Sequence, residues 1–263
     1  MSLTAEVRVS TQRRGHVFVM TLNRANKRNA FDEAMFRALC EAYTELETDP
    51  ELRCGVLLGD GPHFTAGADL GDVAMKIMDG VELLDPALVN PWNTGGVARH
   101  TPVVVGVHGR CFTLGIELML AADVRVADET ARFAQTEVMG GILPFGGATA
   151  RFVSTAGWGD AMRWMLTGED FDAAQALRMG LVQEVVPAGT HAERALALGE
   201  RIAAQAPLAV QATMRSAALA VAQGEEACNA QLAKEIGRLL TTEDARIGMT
   251  AFLGHTKAEF VGR

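Results

Sequence analysis

The 263-residue sequence predicts an α/β fold that is followed by a helical carboxyl-terminal region. Short aliphatic runs of strand length alternate with segments whose apolar residues recur every three or four positions, as in amphipathic helices. After residue 190 the strand-like runs stop and only helical patterns remain. With 49% hydrophobic and 21% charged residues, the chain has an ordinary globular composition and can bury one large core.

Five apolar runs have the length and composition of strands. The run Val103–Val107 is continuously apolar, which is typical of a strand covered on both faces. The others are Val17–Leu22, 54–58, 124–127 and 181–186. The alternation of these runs with helical segments indicates repeated ββα or βαβ units rather than an all-helical fold.

The helical patterns divide the chain in two. An early helix carries apolar residues at positions 31, 35, 39, 43 and 46, with Asn29 or Asp32 available as its N-cap. The segment 78–96 is rich in Gly and Pro and is predicted to be a loop. Four more helices are predicted at the carboxyl end, at 192–206, 207–222, 225–239 and 242–252. We therefore expect a core at residues 1–190 and a helical region at residues 191–263.

Composition excludes several classes of partner. The net charge of −8 argues against nucleic acid as the main ligand. The longest apolar runs are far too short to cross a membrane. Four cysteines without CxxC spacing and six scattered histidines favour reduced thiols and no metal site. The first fourteen residues are charged and lack the apolar stretch of a secretory signal, so we expect a cytoplasmic protein.

Two turns that lead into helices are candidates for chemistry. In the segment 64–70, small residues precede a helix start and leave backbone N–H groups open to a ligand. The alternative is a tight structural turn in which Asp69 only caps the helix. In the segment 109–117, Glu117 has apolar neighbours, and burial there would raise its pKa and make it an acid/base candidate. The alternative is a solvated glutamate on an amphipathic helix.

A second carboxylate, Glu137, lies in another stretch that is poor in charge and precedes the Gly-rich segment 140–147. Two carboxylates that meet over a cleft can hold a water molecule and divide acid and base duties between them. The residues alone do not establish that Glu117 and Glu137 converge.

These segments together resemble the crotonase (enoyl-CoA hydratase/isomerase) superfamily, and enoyl-CoA hydratases within it. The resemblance spans nearly the whole chain, and its order and spacing are more specific than any single motif. It rests on residues 22–30, 64–70, 109–123, 137–147, 166–168 and 173–182, and on Phe252, Lys257 and Phe260.

The resemblance implies a hydratase mechanism for a 2-enoyl-CoA thioester. The N–H groups of Ala66 and Leu114 would polarise the thioester carbonyl and stabilise the enolate-like charge on its oxygen. Glu117 would take a proton from the attacking water, and Glu137 would deliver a proton to the α-carbon. The alternative within the family is an enoyl-CoA isomerase or other crotonase-type acyl-CoA chemistry, because some isomerases need only the carboxylate at the Glu137 position.

The resemblance also implies a ββα superhelix, no cofactor beyond the CoA of the substrate, and a homotrimer or dimer of trimers formed through the carboxyl-terminal helices. The acyl-CoA contacts that it implies are Arg24, Ala25, Lys27, Ala66, Ala68, Asp69, Leu70 and Lys257.

The sequence departs from the family pattern near the acyl group. Thr113 and Leu114 occupy positions where the family usually has glycines, and Phe145 occupies a position where a small residue is common. We expect Leu114 and Phe145 to border the acyl pocket and to affect the choice of substrate.

Overall fold

The computed structural model describes residues 7–263, in which a six-stranded and a three-stranded sheet form the centre. The strands are β1 Val9–Arg14, β2 Val17–Leu22, β3 Cys54–Gly59, β4 Val103–Val107, β5 Arg110–Phe112, β6 Val124–Asp128, β7 Arg132–Ala134, β8 Asp170–Asp172 and β9 Glu184–Val186. The large sheet has the order β1-β2-β3-β4-β6-β9, and the small one has the order β5-β7-β8.

In the described part of the chain, ten α-helices cover and extend the sheets. They are α1 Glu33–Thr48, α2 Leu70–Met78, α3 Leu114–Ala121, α4 Ala148–Ala156, α5 Trp158–Thr167, α6 Ala173–Arg178, α7 His191–Ala203, α8 Pro207–Gln223, α9 Glu225–Leu240 and α10 Glu243–Gly254. Short 3-10 turns occupy Ala25–Lys27 and Glu137–Gly140. The alternation of strands and helices is the α/β arrangement predicted above.

The large sheet is parallel except at its first edge. β1 pairs antiparallel with β2, and each later neighbour pairs in parallel, including β2 with β3 and β3 with β4. In parallel neighbours the carboxyl ends lie at the same edge, so the loops that follow β2, β3 and β4 gather there. The two candidate turns, 64–70 and 109–117, follow β3 and β4 at this edge.

The structure refines three sequence predictions. β1 was not predicted because only Val9 of its six residues is buried, which leaves no apolar pattern to recognise. The run 181–186 forms strand only at β9, whereas Leu181 and Val182 are buried in the core ahead of the strand. Asp32 is the N-cap of α1, its side chain accepting a bond from the amide of Met35.

The two helices that follow the candidate turns, α2 and α3, differ in how deeply they are buried. Seven of the eight residues of α3 are buried, including Glu117. Of the nine residues of α2, all of which the structure describes, Val73 alone is buried. Burial of α3 fixes its position firmly, whereas α2 forms a thin wall over the sheet edge.

The carboxyl-terminal helices are of two kinds. α7 packs on the sheet, where its buried Ala195 and Ala203 join a core cluster with Val17 and Val104. α9 has no buried residue, and α10 exposes Phe252 at 79% of its surface. The helices that stand away from the sheet are therefore α8 to α10. Within residues 7–263 no helix combines the length and apolar character needed to span a membrane.

Candidate active site

The two candidate turns lie side by side at the carboxyl ends of β3 and β4. Thr65 forms a parallel bridge with Cys111, and the amide of Phe112 donates to the Thr65 carbonyl at 3.1 Å. Gly67 packs directly against the side chain of Thr113. The two turns therefore form one wall of a common cleft, with α3 beginning at its floor.

The amide groups in the first turn correct one prediction. The N–H of Ala66 donates to the carbonyl of Arg28 at 2.9 Å, so it is not free to bind a ligand. The Phe31 amide donates to the Gly67 carbonyl, and the Phe31 carbonyl accepts from the Asp69 amide. The backbone N–H of the intervening Ala68 therefore points away from Phe31. In the described chain the Ala68 amide has no hydrogen-bond acceptor. Ala68, rather than Ala66, presents the available N–H.

The second available amide belongs to Leu114. As the first residue of α3, it has no helical acceptor for its N–H. Its N-cap, Thr113, has φ 50° and ψ −115°, a conformation that glycine adopts easily and a β-branched residue does not. This backbone requirement explains why a glycine is usual at the Thr113 position. The Leu114 side chain is buried in the core and does not border the cleft, contrary to our expectation.

Glu117 is fully buried one turn into α3, so the surface alternative is wrong. Its Oε1 accepts bonds from the amides of Gly146 and Ala148 at 2.8 and 2.9 Å. Among the described atoms its Oε2 has no partner. Burial raises the pKa of Glu117, while the two amides and the charge of Arg151 oppose that rise. The carboxylate is held by one oxygen and presents the other.

Glu137 is 6% exposed and begins the 3-10 turn that follows β7. Its Oε1 accepts from Gln135 Nε2 at 3.0 Å, and its Oε2 likewise lacks a partner within residues 7–263. Burial raises the pKa of Glu137 to about 7, and the negative charge of Glu117 adds to the rise. Both glutamates are bonded by the segment 142–148, through the amide of Ile142 to the Glu137 carbonyl and through the amides of Gly146 and Ala148 to Glu117. The segment therefore brings them into one region of the fold, which the sequence could not establish.

A brace behind Glu117 joins three segments of the site. Arg151 donates to the carbonyls of Gly146, Trp92 and Asn93, at 3.1, 2.6 and 3.0 Å. The indole N–H of Trp92 in turn donates to the Leu114 carbonyl at 3.0 Å. Arg151 therefore ties the loop that bonds Glu117 to the buried part of the long loop after α2.

The predicted CoA contact Arg24 is engaged inside the protein. Its Nη1 bonds Asp69 at 2.8 Å and the Ala30 carbonyl, and its Nε lies 3.3 Å from Asp32. Because the carboxylates of Asp32 and Asp69 compensate its charge, Arg24 does not present a free positive charge to a phosphate. Both side chains fix the turn that follows β2.

The remaining predicted CoA contacts are spread over two places. Lys27 is exposed beside Ala25 after β2, on the side of the available amides. Lys257 instead lines a cleft with His16 and Arg53, at the amino ends of β2 and β3. The amino end of a six-residue strand lies about 16 Å from its carboxyl end, where the available amides are found. Within one chain Lys257 therefore does not join the site.

An apolar cavity of about 600 Å³ lies between α2 and the segment 142–145, which leads into the loop that bonds Glu117. Leu70 and Phe145 both line it, and Phe145 is 43% exposed. Phe145 therefore borders an apolar cavity, and its contact with an acyl group stays a prediction. Leu70 lies on the side of this cavity rather than beside Lys27.

Several supporting residues were not recognised from the sequence. Asn29 binds the Arg24 amide and the carbonyls of Asp60 and His63, at 2.8 to 2.9 Å. Gln135, Trp92 and Arg151 were also missed. The Gly-rich segment 140–147 was the signal that could have led to Arg151. A flexible loop that binds a carboxylate needs a side chain to fix its position, and Arg151 bonds the Gly146 carbonyl of this loop.

Comparisons with known proteins identify the family of the chain. The family model described as enoyl-CoA hydratase/isomerase matches residues 12–263. The chain is 36% identical to a 2,3-dehydroadipyl-CoA hydratase of Escherichia coli, over 98% of this chain and 100% of that protein. It is 34% identical to enoyl-CoA hydratase EchA19 of Mycobacterium tuberculosis, over 96% of each.

Solved structures show the same relationship. A protein of Mycobacterium abscessus, described as a probable enoyl-CoA hydratase/isomerase, is 54% identical with a TM-score of 0.95, covering 97% of this chain and 99% of that one. An enoyl-CoA hydratase of Mycobacterium tuberculosis H37Rv is 30% identical with a TM-score of 0.89, covering 98% and 100%.

The fold and the family match define a crotonase-type enzyme. The chain belongs to the enoyl-CoA hydratase/isomerase family of the crotonase superfamily.

Proposed function

We propose that the protein is an enoyl-CoA hydratase that adds water across the 2,3 double bond of a 2-enoyl-CoA thioester. The observation that carries this proposal is the pair of buried glutamates, Glu117 and Glu137, each with one carboxylate oxygen that has no partner within residues 7–263. Two such oxygens can hold one water molecule, which hydration requires and a simple shift of a double bond does not.

The free amides of Ala68 and Leu114 support the electrostatic part of the mechanism. Two N–H donors at the thioester oxygen would stabilise the negative charge that develops there when water attacks the β-carbon. Because the Leu114 amide starts α3, the helix dipole favours the same charge. Both donors are fixed before substrate binds, so little reorganisation is needed.

The carboxylates would divide the proton transfers. The oxygen of water bonds to the β-carbon as Glu117 removes one of its protons, and the electrons of the double bond move onto the thioester oxygen. Glu137 then gives its proton to the α-carbon as the enolate collapses. A proton passes from Glu117 back to Glu137 before the next turnover. The raised pKa of Glu137, about 7, suits a group that must hold a proton near neutral pH.

For the CoA moiety we propose contacts at Lys27 and at the backbone of Ala25 and Ala68, on the exposed side of the cleft. We further propose a homotrimer or dimer of trimers, assembled through α8 to α10. The exposed apolar residues of α9 and α10, including Leu240 and Phe252, support this, because such surfaces are usually covered. Lys257 would then serve a neighbouring subunit.

The alternative is an enoyl-CoA isomerase or other acyl-CoA chemistry on the same site. Product analysis separates the two. The protein is incubated with 2-octenoyl-CoA and, separately, with 3-octenoyl-CoA, and the products are identified by mass spectrometry. A gain of one water from the 2-enoyl substrate supports the hydratase. Conversion of the 3-enoyl substrate to the 2-enoyl isomer, with no hydrated product from either, would reject it.

A further inference from the structure

The apolar cavity beside the carboxylates has a composition that restricts its occupant. Of the twelve described residues that line its volume of about 600 Å³, eleven are apolar and the twelfth is Glu82. They come from α1, from α2 and the loop that follows it, and from the segment 142–145. An apolar surface of this size in a concave position is typical of a ligand site.

The cavity lies next to the segments that hold the candidate catalytic groups. Phe145 lines it and immediately precedes Gly146, whose amide bonds Glu117 at 2.8 Å. Ile142 also lines it, and its amide donates to the Glu137 carbonyl at 3.1 Å. On the opposite wall, Leu70 follows two residues after Ala68. An acyl group whose reacting carbons lie between the glutamates therefore extends toward this cavity.

We propose that this cavity takes an uncharged, extended acyl chain and selects against acyl groups that end in a carboxylate. The identity of the occupant as an acyl group rests on the proposed function. The selection rests on the lining alone.

The size of the cavity favours chains longer than four carbons. A butenoyl group places a single methyl carbon beyond its double bond, which leaves most of the volume unfilled. Each methylene that becomes fully buried tightens binding by about fourfold. Because the cavity opens to solvent on one side, the added methylenes are only partly buried. We therefore expect binding to tighten by about fivefold for each pair of added methylenes.

The charge in the cavity disfavours a terminal carboxylate. Such a group would lose its hydration among apolar side chains and would meet the carboxylate of Glu82. The lysine of the adjacent helix, Lys76, does not compensate, because it pairs with Glu33 at 2.8 Å and Asp72 at 3.0 Å. The two effects act in the same direction.

Binding of saturated thioesters tests the proposal without relying on turnover. Calorimetry compares hexanoyl-CoA with adipyl-CoA, which has the same chain length and ends in a carboxylate. Butanoyl-CoA, octanoyl-CoA and decanoyl-CoA supply the length series. We expect hexanoyl-CoA to bind at least about tenfold more tightly than adipyl-CoA, and affinity to rise from butanoyl-CoA to decanoyl-CoA.

A charge variant and its matched control locate the selection. Glu82→Lys should reduce the preference for hexanoyl-CoA over adipyl-CoA by about tenfold, and Glu82→Gln by only a few fold. Equal or tighter binding of adipyl-CoA, affinity that does not rise with length, or a preference that Glu82→Lys leaves unchanged would each overturn the proposal. If the binding preference holds but no enoyl thioester is hydrated, the proposed function fails and this inference stands.

Discussion

Gly67 lies so close to Thr113 that a β-carbon on Gly67 would overlap Thr113 Oγ1. Gly67 also has φ 93°, a conformation that side chains disfavour. The two turns that carry the free amides thus approach each other through a glycine on one side and a strained threonine on the other. The separation of Ala68 and Leu114 depends on this contact.

This contact predicts that Gly67→Ala destabilises the protein by about 2 kcal/mol or more, because the new methyl group forces the turns apart. Thr113→Gly in the same chain should restore at least half of the loss, because it removes the overlapping oxygen and relieves the positive φ at residue 113. Urea unfolding of the two variants, with Thr113→Gly alone as control, measures the effect. A double variant no more stable than Gly67→Ala would contradict the prediction.

For the carboxylates we expect Glu117→Gln and Glu137→Gln each to lower hydration by about 100-fold or more, the usual scale of acid/base catalysis. Both changes preserve shape, so thioester binding should largely survive. Steady-state hydration and calorimetric binding distinguish the two effects. Wild-type hydration by Glu117→Gln would exclude the two-carboxylate mechanism, and isomerisation that persists in that variant would favour the alternative.

The raised pKa of Glu137 predicts a limb in the pH profile of kcat/KM. Glu137 must be protonated to donate, so kcat/KM should fall about tenfold per unit as pH rises beyond the pKa of about 7. Gln135 stabilises the ionised form of Glu137 through its amide. Gln135→Ala should therefore raise the pKa of Glu137 and move the limb to higher pH. A limb that stays in place or moves lower would show that Glu137 does not govern it.

The exposed apolar face of α10 predicts an assembly that depends on it. Phe252→Glu should weaken the oligomer and lower activity with it, whereas Phe252→Leu should keep both, since it retains an apolar side chain. Truncation before Glu243 should have the stronger effect. Light scattering over a dilution series measures the mass, and a fully active, stable wild-type monomer would refute the proposed assembly.

Phe145 should control the fit of longer chains. Because it lines the acyl cavity, Phe145→Ala is expected to raise kcat/KM for 2-decenoyl-CoA relative to crotonyl-CoA, by roughly 10-fold. Leu114→Ala is not expected to do so, because Leu114 is buried in the core. The comparison is made on variants whose circular dichroism matches the wild type. An unchanged ratio would mean that Phe145 does not limit the chain.

The sequence predicted those features that a local pattern encodes. Four of the five predicted strands and the burial of Glu117 followed from neighbouring residues. Which alanine amide is free could not be predicted, because it depends on the Arg28 carbonyl, a distant backbone group that occupies Ala66. The pairing of Arg24 with Asp69 was hidden for the same reason. Long-range hydrogen bonds decide which of several similar residues faces a ligand.

The contrast between α2 and α3 bears on how such an enzyme acquires new substrates. Substitutions on α2 remove few buried contacts and therefore cost little stability, whereas most positions of α3 tolerate no change in volume. Sequence variation can accumulate in α2, along the wall of the apolar cavity, while the residues around Glu117 stay fixed. The fold thereby allows substrate preference to diverge between lineages without loss of the underlying chemistry.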